Sequence, residues 1–303
     1  MKSSYRTHRN DKGNCSIYAL KKPFACNTQY EFSLIDMNNE DYYNDIHIDC
    51  QFKGERNNVY VSIRNKVIAY LQSMCVALNY TDRIFYKTLL YLDCIFTNNA
   101  HPSDYNNIYT IKLLSTSIVL LVAKFHGLNT YIFNFNSITL FSIEQLKLNE
   151  IRALKLIHYD FRLMSAYDYL KLMLHNGIVF TNENLSDENV FMLYRYMKYV
   201  LAHITQSNLL MKYHPKVIAF VIALHARYKQ FQFSLRKENT LELERVYKCK
   251  RSLYMKCYEE LIDVVGEWQW RDVIGIQDMR IKVKGSCNVF TKVVKCTEGK
   301  FIC

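Results

Sequence analysis

The chain has 303 residues and a formal net charge of +11; half of it is hydrophobic and 22% is charged, a globular balance that excludes a disordered polymer and allows one large domain or two ordinary ones. Only 8 Gly and 3 Pro are present, too few to turn an all-β chain, so helices are expected. The 10 Cys include no C-x-x-C pair and do not combine with His at finger spacing, so they read as buried thiols in a reducing compartment, with no metal or cofactor expected.

Residues 1–40 are polar, without a sustained period, and read as a tail; the opening MKSSYRTHRNDKGN lacks the apolar core of a signal peptide. From residue 41 helical periods succeed one another, at about 41–50, 59–78, 81–97, 109–126, 137–142 and 143–159. The loops between them are rich in Asn, Ser and Asp, as in TNNAHPSDYNN at 97–107, and 126–141 reads as a loop with one short helix. The most apolar run, 113–123, lies between Lys112 and Lys124 and is too short to span a bilayer, so a soluble protein of the nucleus or cytoplasm is expected, with no membrane partner. After Phe161 the pattern restarts: 165–177 closed by Gly177, then 187–205, 214–230 with Pro215 in its first turn, and 240–265. YTIKLLSTSIVLLVAKF at 109–125 and YHPKVIAFVIALHARYK at 213–229 align without gaps at an offset of 104, as two copies of one helical module would.

One residue of NEIRALKLIHYDFRL, 149–163, interrupts its pattern. Leu146, Leu154, Ile157 and Phe161 form an apolar helical stripe, and Glu150 sits within it. A carboxylate on such a line is costly unless something satisfies it. Three earlier helices share the feature. Arg64 lies in line with Tyr60, Val67 and Leu71; Asp93 with Phe85, Leu89 and Phe96; Lys124 with Thr116 and Leu120. One such residue can be a boundary side chain that reaches water. Four, two of each sign, point to pairing within the molecule or with polar groups of a partner.

The pieces IRNKVIAYL, YLDCIF, LLSTSIVLLVAKF and NEIRALKLIHYDF, within residues 63–170, resemble a cyclin box, with Arg64, Asp93, Leu113, Lys124 and Glu150 at its five signature positions. EDYYNDIHI at 40–48, YHPKVIAF at 213–220 and MRIKVKGS at 279–286 extend the resemblance, in the family's order, to a divergent mitotic, A/B-type cyclin. The resemblance implies an all-α protein of two tandem five-helix cyclin-box folds with a short preceding helix. Its parts would be a tail (1–40), an N-terminal box (41–164), a C-terminal cyclin fold (165–286) and a second tail (287–303). It further implies a non-catalytic regulatory subunit that binds a cyclin-dependent kinase, docks the kinase αC helix, activates it and thereby controls cell-cycle progression. Lys124 and Glu150 would then hydrogen-bond the kinase backbone, beside Phe125, Leu154 and Ile157. Arg64 and Asp93 would pair internally and brace the helices.

Two departures from the family bear on partners. His126 and Gly127 stand where most cyclins carry acidic residues. The positions of the family's patch for docking kinase substrates hold Ile63, Lys66, Val67 and Tyr70, so a charge enters an apolar patch. The basic balance leaves a second reading open: a cyclin-fold scaffold or transcription-related, nucleic-acid-binding protein without a cell-cycle kinase. Lys and Arg are interspersed with Glu and Asp rather than run together, so a mixed solvated surface is expected and nucleic acid is not the preferred partner. Catalysis is not expected: no Gly-rich phosphate loop, HExxH or GxSxG occurs, and His158 near Asp160 has no nucleophile beside it.

Overall fold

The structure is a computed structural model that describes residues 20–21, 58–97, 105–128, 130, 138–139, 141–180, 183, 185–231 and 237–266. In chain order the elements are β1 (Leu20–Lys21), α1 (Asn58–Ala77), α2 (Asp82–Thr97), α3 (Ile108–Phe125), α4 (Ile143–Leu156), α5 (Ala166–Asn176), β2 (Val179–Phe180), α6 (Asp187–Ile204), α7 (Leu209–Lys212), α8 (Pro215–Phe231), α9 (Lys237–Val246) and α10 (Arg251–Val265). The fold is all-α, and the two short strands pair antiparallel, Leu20 opposite Phe180. The helix expected at 41–50, the segment 279–286 and the tail 287–303 lie outside the described residues.

Two helices organise the core. α3 packs on α1, α2 and α4, and α8 packs on α5, α6 and α10. These are the two segments that align at an offset of 104, so the repeat corresponds to a central helix in each half of the molecule. The helix containing the apolar run is longer than that run: α3 has 18 residues and is long and apolar enough to cross a membrane, but here Ile118, Val119, Leu120 and Val122 are buried among its neighbours. Its buried Ser115, Thr116 and Ser117 each donate to the carbonyl four residues back, so none of these three hydroxyls is left unsatisfied.

Helix starts are set by side-chain caps. Ser142 and Gln145 form a capping box on α4, Ser165 and Asp168 one on α5, and Asn107 accepts from Thr110 N at the start of α3. Several helix ends use a left-handed residue: Asn79 after α1, Gly127 after α3, His158 and Tyr159 after α4, Lys248 after α9. In each case an N–H just beyond the helix reaches back five residues, as Leu128 N does to Ala123 O at 3.0 Å.

These ends correct two expectations. The span 240–265 is not one helix: α9 stops, Lys248 takes φ 47, Cys249 N donates to Glu244 O at 3.0 Å, and α10 begins at Arg251. Tyr247 holds the break by donating to Met173 O at 3.1 Å and to Gly177 O, the end of α5. Likewise α4 ends at Leu156, so Phe161 is not a further turn of that helix. The reversal at 158–159 brings its ring back to stack on Phe125, centroids 5.0 Å apart.

Candidate protein-docking site

The four charges resolve into two pairs of different character. Arg64 and Asp93 are sealed in the core, 2% and 1% exposed. Arg64 Nε and Nη2 donate to the two carboxylate oxygens at 2.9 and 2.7 Å, and Tyr60 Oη donates to the same carboxylate at 2.7 Å. The remaining guanidinium nitrogen donates to Thr205 O at 2.8 Å and Ser207 O at 3.2 Å, between α6 and α7. Burial alone would favour a neutral guanidine; Asp93 reverses this and pushes the pKa above its ordinary value. The cluster therefore joins α1 and α2 to the chain between α6 and α7, with all three guanidinium nitrogens engaged.

Lys124 and Glu150 form the other pair. α3 places Lys124 in its last turn and α4 carries Glu150 one turn after the buried Leu146, so the side chains meet with Nζ to Oε1 at 2.5 Å. Glu150 is mostly covered, whereas the Lys124 side chain is 41% exposed. Among the described residues neither has a second hydrogen-bond partner. The charges cancel, yet donors on the ammonium and one carboxylate oxygen stay unused at the surface. Such a pair can donate to a partner's carbonyl and accept a partner's N–H without either ion losing its counter-charge.

Beside the pair lies apolar surface. Phe125 is 53% exposed; Leu148 and Ile151 on α4 and Tyr159 just beyond it are exposed too. Leu154 is half-buried, while Ile157 is buried at the end of α4 and belongs to the core rather than to this face. Leu148 and Ile151 were not singled out from the sequence, although their i, i+3 spacing ahead of Leu154 traces an outward apolar line along α4 that approaches Glu150 at Leu154. Also absent from the sequence reading is Asn149, buried between α3 and α4. It accepts from Tyr105 Oη at 2.6 Å and donates to Ser117 Oγ at 3.0 Å, fixing the register that brings Lys124 to Glu150.

The positions read as a substrate-docking patch do not form one apolar surface. Val67 is fully buried against the core, because α1 turns it inward with Arg64 and Leu71. Ile63 and Tyr70 are half-buried and Lys66 is exposed. Tyr70 Oη shares a 2.7 Å hydrogen bond with Thr116, and the ammonium of Lys112 lies 5.0 Å from the centre of its ring. Leu113, the remaining signature residue, is half-buried and packs on the core. Among the described residues no three of His, Cys, Asp and Glu converge as a metal site would require, and Cys75, Cys94, Cys249 and Cys257 are buried free thiols. Burial raises Cys75, Cys249 and Cys257 to about 12, away from thiolate reactivity.

No protein-family model matches the chain, and no curated protein matches its sequence. Among solved structures it is similar to a viral cyclin from herpesvirus saimiri, at 14% identity and a TM-score of 0.53, over 74% of this chain and 96% of that one. At that identity the likeness is one of fold. The chain has a cyclin-like, all-α fold.

Proposed function

We propose that this chain is a non-catalytic regulatory subunit of the cyclin type, which binds a cyclin-dependent kinase through the face bearing Lys124 and Glu150 and activates it. The observation that carries the reading is the Lys124–Glu150 pair itself: mutually neutralised, hydrogen-bond-unsaturated and set in exposed apolar surface. A purely structural ion pair gains nothing from such surroundings, whereas a docking face needs apolar area for affinity and a few fixed polar groups for register. Phe125, Ile151 and Leu154 supply the area.

Activation follows from differential binding. A kinase of this class requires its αC glutamate paired with the β3 lysine. A protein that packs on αC only in its inward position shifts the population toward that state by its preference for it. The cyclin-like partner supplies no chemistry; it supplies a surface complementary to one of two kinase conformations.

The direct test is a pull-down from the protein's native cells, wild type beside Lys124→Ala/Glu150→Ala, with bound proteins identified by mass spectrometry. A kinase captured by wild type and lost with the variant is the expected result. No kinase in either lane, with both proteins folded, overturns the reading in favour of a scaffold of the same fold.

A further inference from the structure

Behind Phe125 the molecule buries a cation without a counter-ion. Lys87, on α2, is only 4% exposed, and its ammonium lies 5.1 Å from the centre of the Phe125 ring. No hydrogen-bond acceptor or carboxylate among the described residues pairs with it. The nearest acids are engaged elsewhere. Asp168 accepts from Arg83 Nε at 2.9 Å and from Ser165 N and Oγ, while Asp160 takes both prongs of Arg162.

His126 follows Phe125 and buries its Nε2 without a hydrogen-bond partner. It is close enough to feel both Arg83 and Lys87; burial and these cations hold its pKa down to about 4, and burial lowers Lys87 to about 8. A desolvated cation–π contact returns less than is lost on taking an ammonium out of water. In the isolated chain an apolar residue at 87 would be the more stable choice.

Resting on the reading of the Lys124–Glu150 face as a docking surface, we infer that Lys87 and His126 form a hydrogen-bond-donor notch at its edge for one acidic side chain of the protein partner. Charge complementarity selects that occupant. Lys87, Arg83 and Lys124 are three cations against two carboxylates, Asp168 and Glu150, so the face and its edge carry one uncompensated positive charge. The available donors are one ammonium and one imidazole N–H, which suit a single carboxylate. Phe125 belongs both to the docking face and to the roof of Lys87, so a partner that covers the ring also closes the notch and excludes water from the new ion pair.

The test uses purified cyclin-dependent kinases as probes, titrated against the full chain as wild type, Lys87→Met and Lys124→Ala/Glu150→Ala. Met matches Lys in length without charge, so Lys87→Met is expected to melt no lower than wild type and to bind the best kinase at least about tenfold more weakly. One kinase Asp or Glu, changed to its amide, should cost wild type a similar factor and Lys87→Met nothing. Lys87→Met binding as tightly as wild type, while Lys124→Ala/Glu150→Ala fails to bind, overturns the notch and leaves the docking face intact. A loss without any coupled kinase acid also overturns it and leaves Lys87 as a prop for Phe125. No kinase binding to wild type removes the docking face and the notch together.

Discussion

At Arg64 a guanidinium has been taken out of water and given four well-placed acceptor contacts instead, two to Asp93, which also accepts from Tyr60, and two to carbonyls between α6 and α7. Removing one side of such a buried pair leaves the other uncompensated. Asp93→Ala or Arg64→Ala should therefore cost about 3–5 kcal/mol in urea unfolding, and Arg64→Ala should speed amide exchange at 205–207. Replacing Lys124 and Glu150 together should cost far less, because neither charge is stranded and the Lys124 side chain already reaches solvent. Two histidines, the buried His225 and the half-buried His126, contribute to the acid limb of stability. Burial lowers His225 and His126 to about 4, so the unfolded chain takes up their protons near 6.5 while the folded chain resists. Stability is thus fully present above about pH 6.5 and is lost as pH falls toward 4. His225→Gln, which cannot charge, should flatten part of that slope in thermal melts between pH 4 and 7; an unchanged slope would contradict it. The four charges were legible because each breaks an apolar stripe, and Tyr60 because it shares Arg64's stripe. Lys87 was not, since a lysine among apolar residues reads as a boundary side chain, and the carbonyls of Thr205 and Ser207 have no sequence signature at all.

The helices themselves were legible from their periods, and the start of α8 from Pro215. Their ends were not uniformly so. Gly127 and Gly177 announce a stop; Asn79, His158 and Lys248 adopt the same left-handed geometry with side chains that penalise it. That is why 240–265 reads as continuous in sequence, and why Phe161 reads as an extra turn of α4. In both places tertiary contacts, Tyr247 on the end of α5 and Phe161 on Phe125, select the break. Gly127 offers a clean measure of what the backbone alone contributes. A Cβ there would meet nothing within 4 Å, while φ is +68. Gly127→Ala should therefore cost about 1 kcal/mol from strain alone, a fall of roughly 2–4 °C in Tm. A much larger fall would reveal packing around the turn that the structure does not contain.

Across the whole molecule, the chain shares its cyclin-like fold with a viral structural neighbour at 14% identity; within this chain two central helices, a buried Arg–Asp pair and side-chain caps hold the helices in place. Family models do not match the chain, yet its helix order and signature charges could be read, since periodicity and buried polar pairs outlast residue identity. Long-range geometry could not be read. Arg83 with Asp168, Lys198 with Asp82 and Arg227 with Glu183 each join residues far apart in sequence, and β1 pairs with β2 across some 160 residues. The function proposed for this frame rests on its outward face, where the free chain displays an ion pair with hydrogen-bonding capacity to spare. The most direct measurement is phosphorylation of a histone substrate by the captured kinase, purified without its activator and supplied with equal amounts of wild type or Lys124→Ala/Glu150→Ala. The account predicts activation by wild type, and binding weakened by about 2–5 kcal/mol with activation abolished in the variant, at matching melting temperatures. Equal activation by both proteins would contradict it.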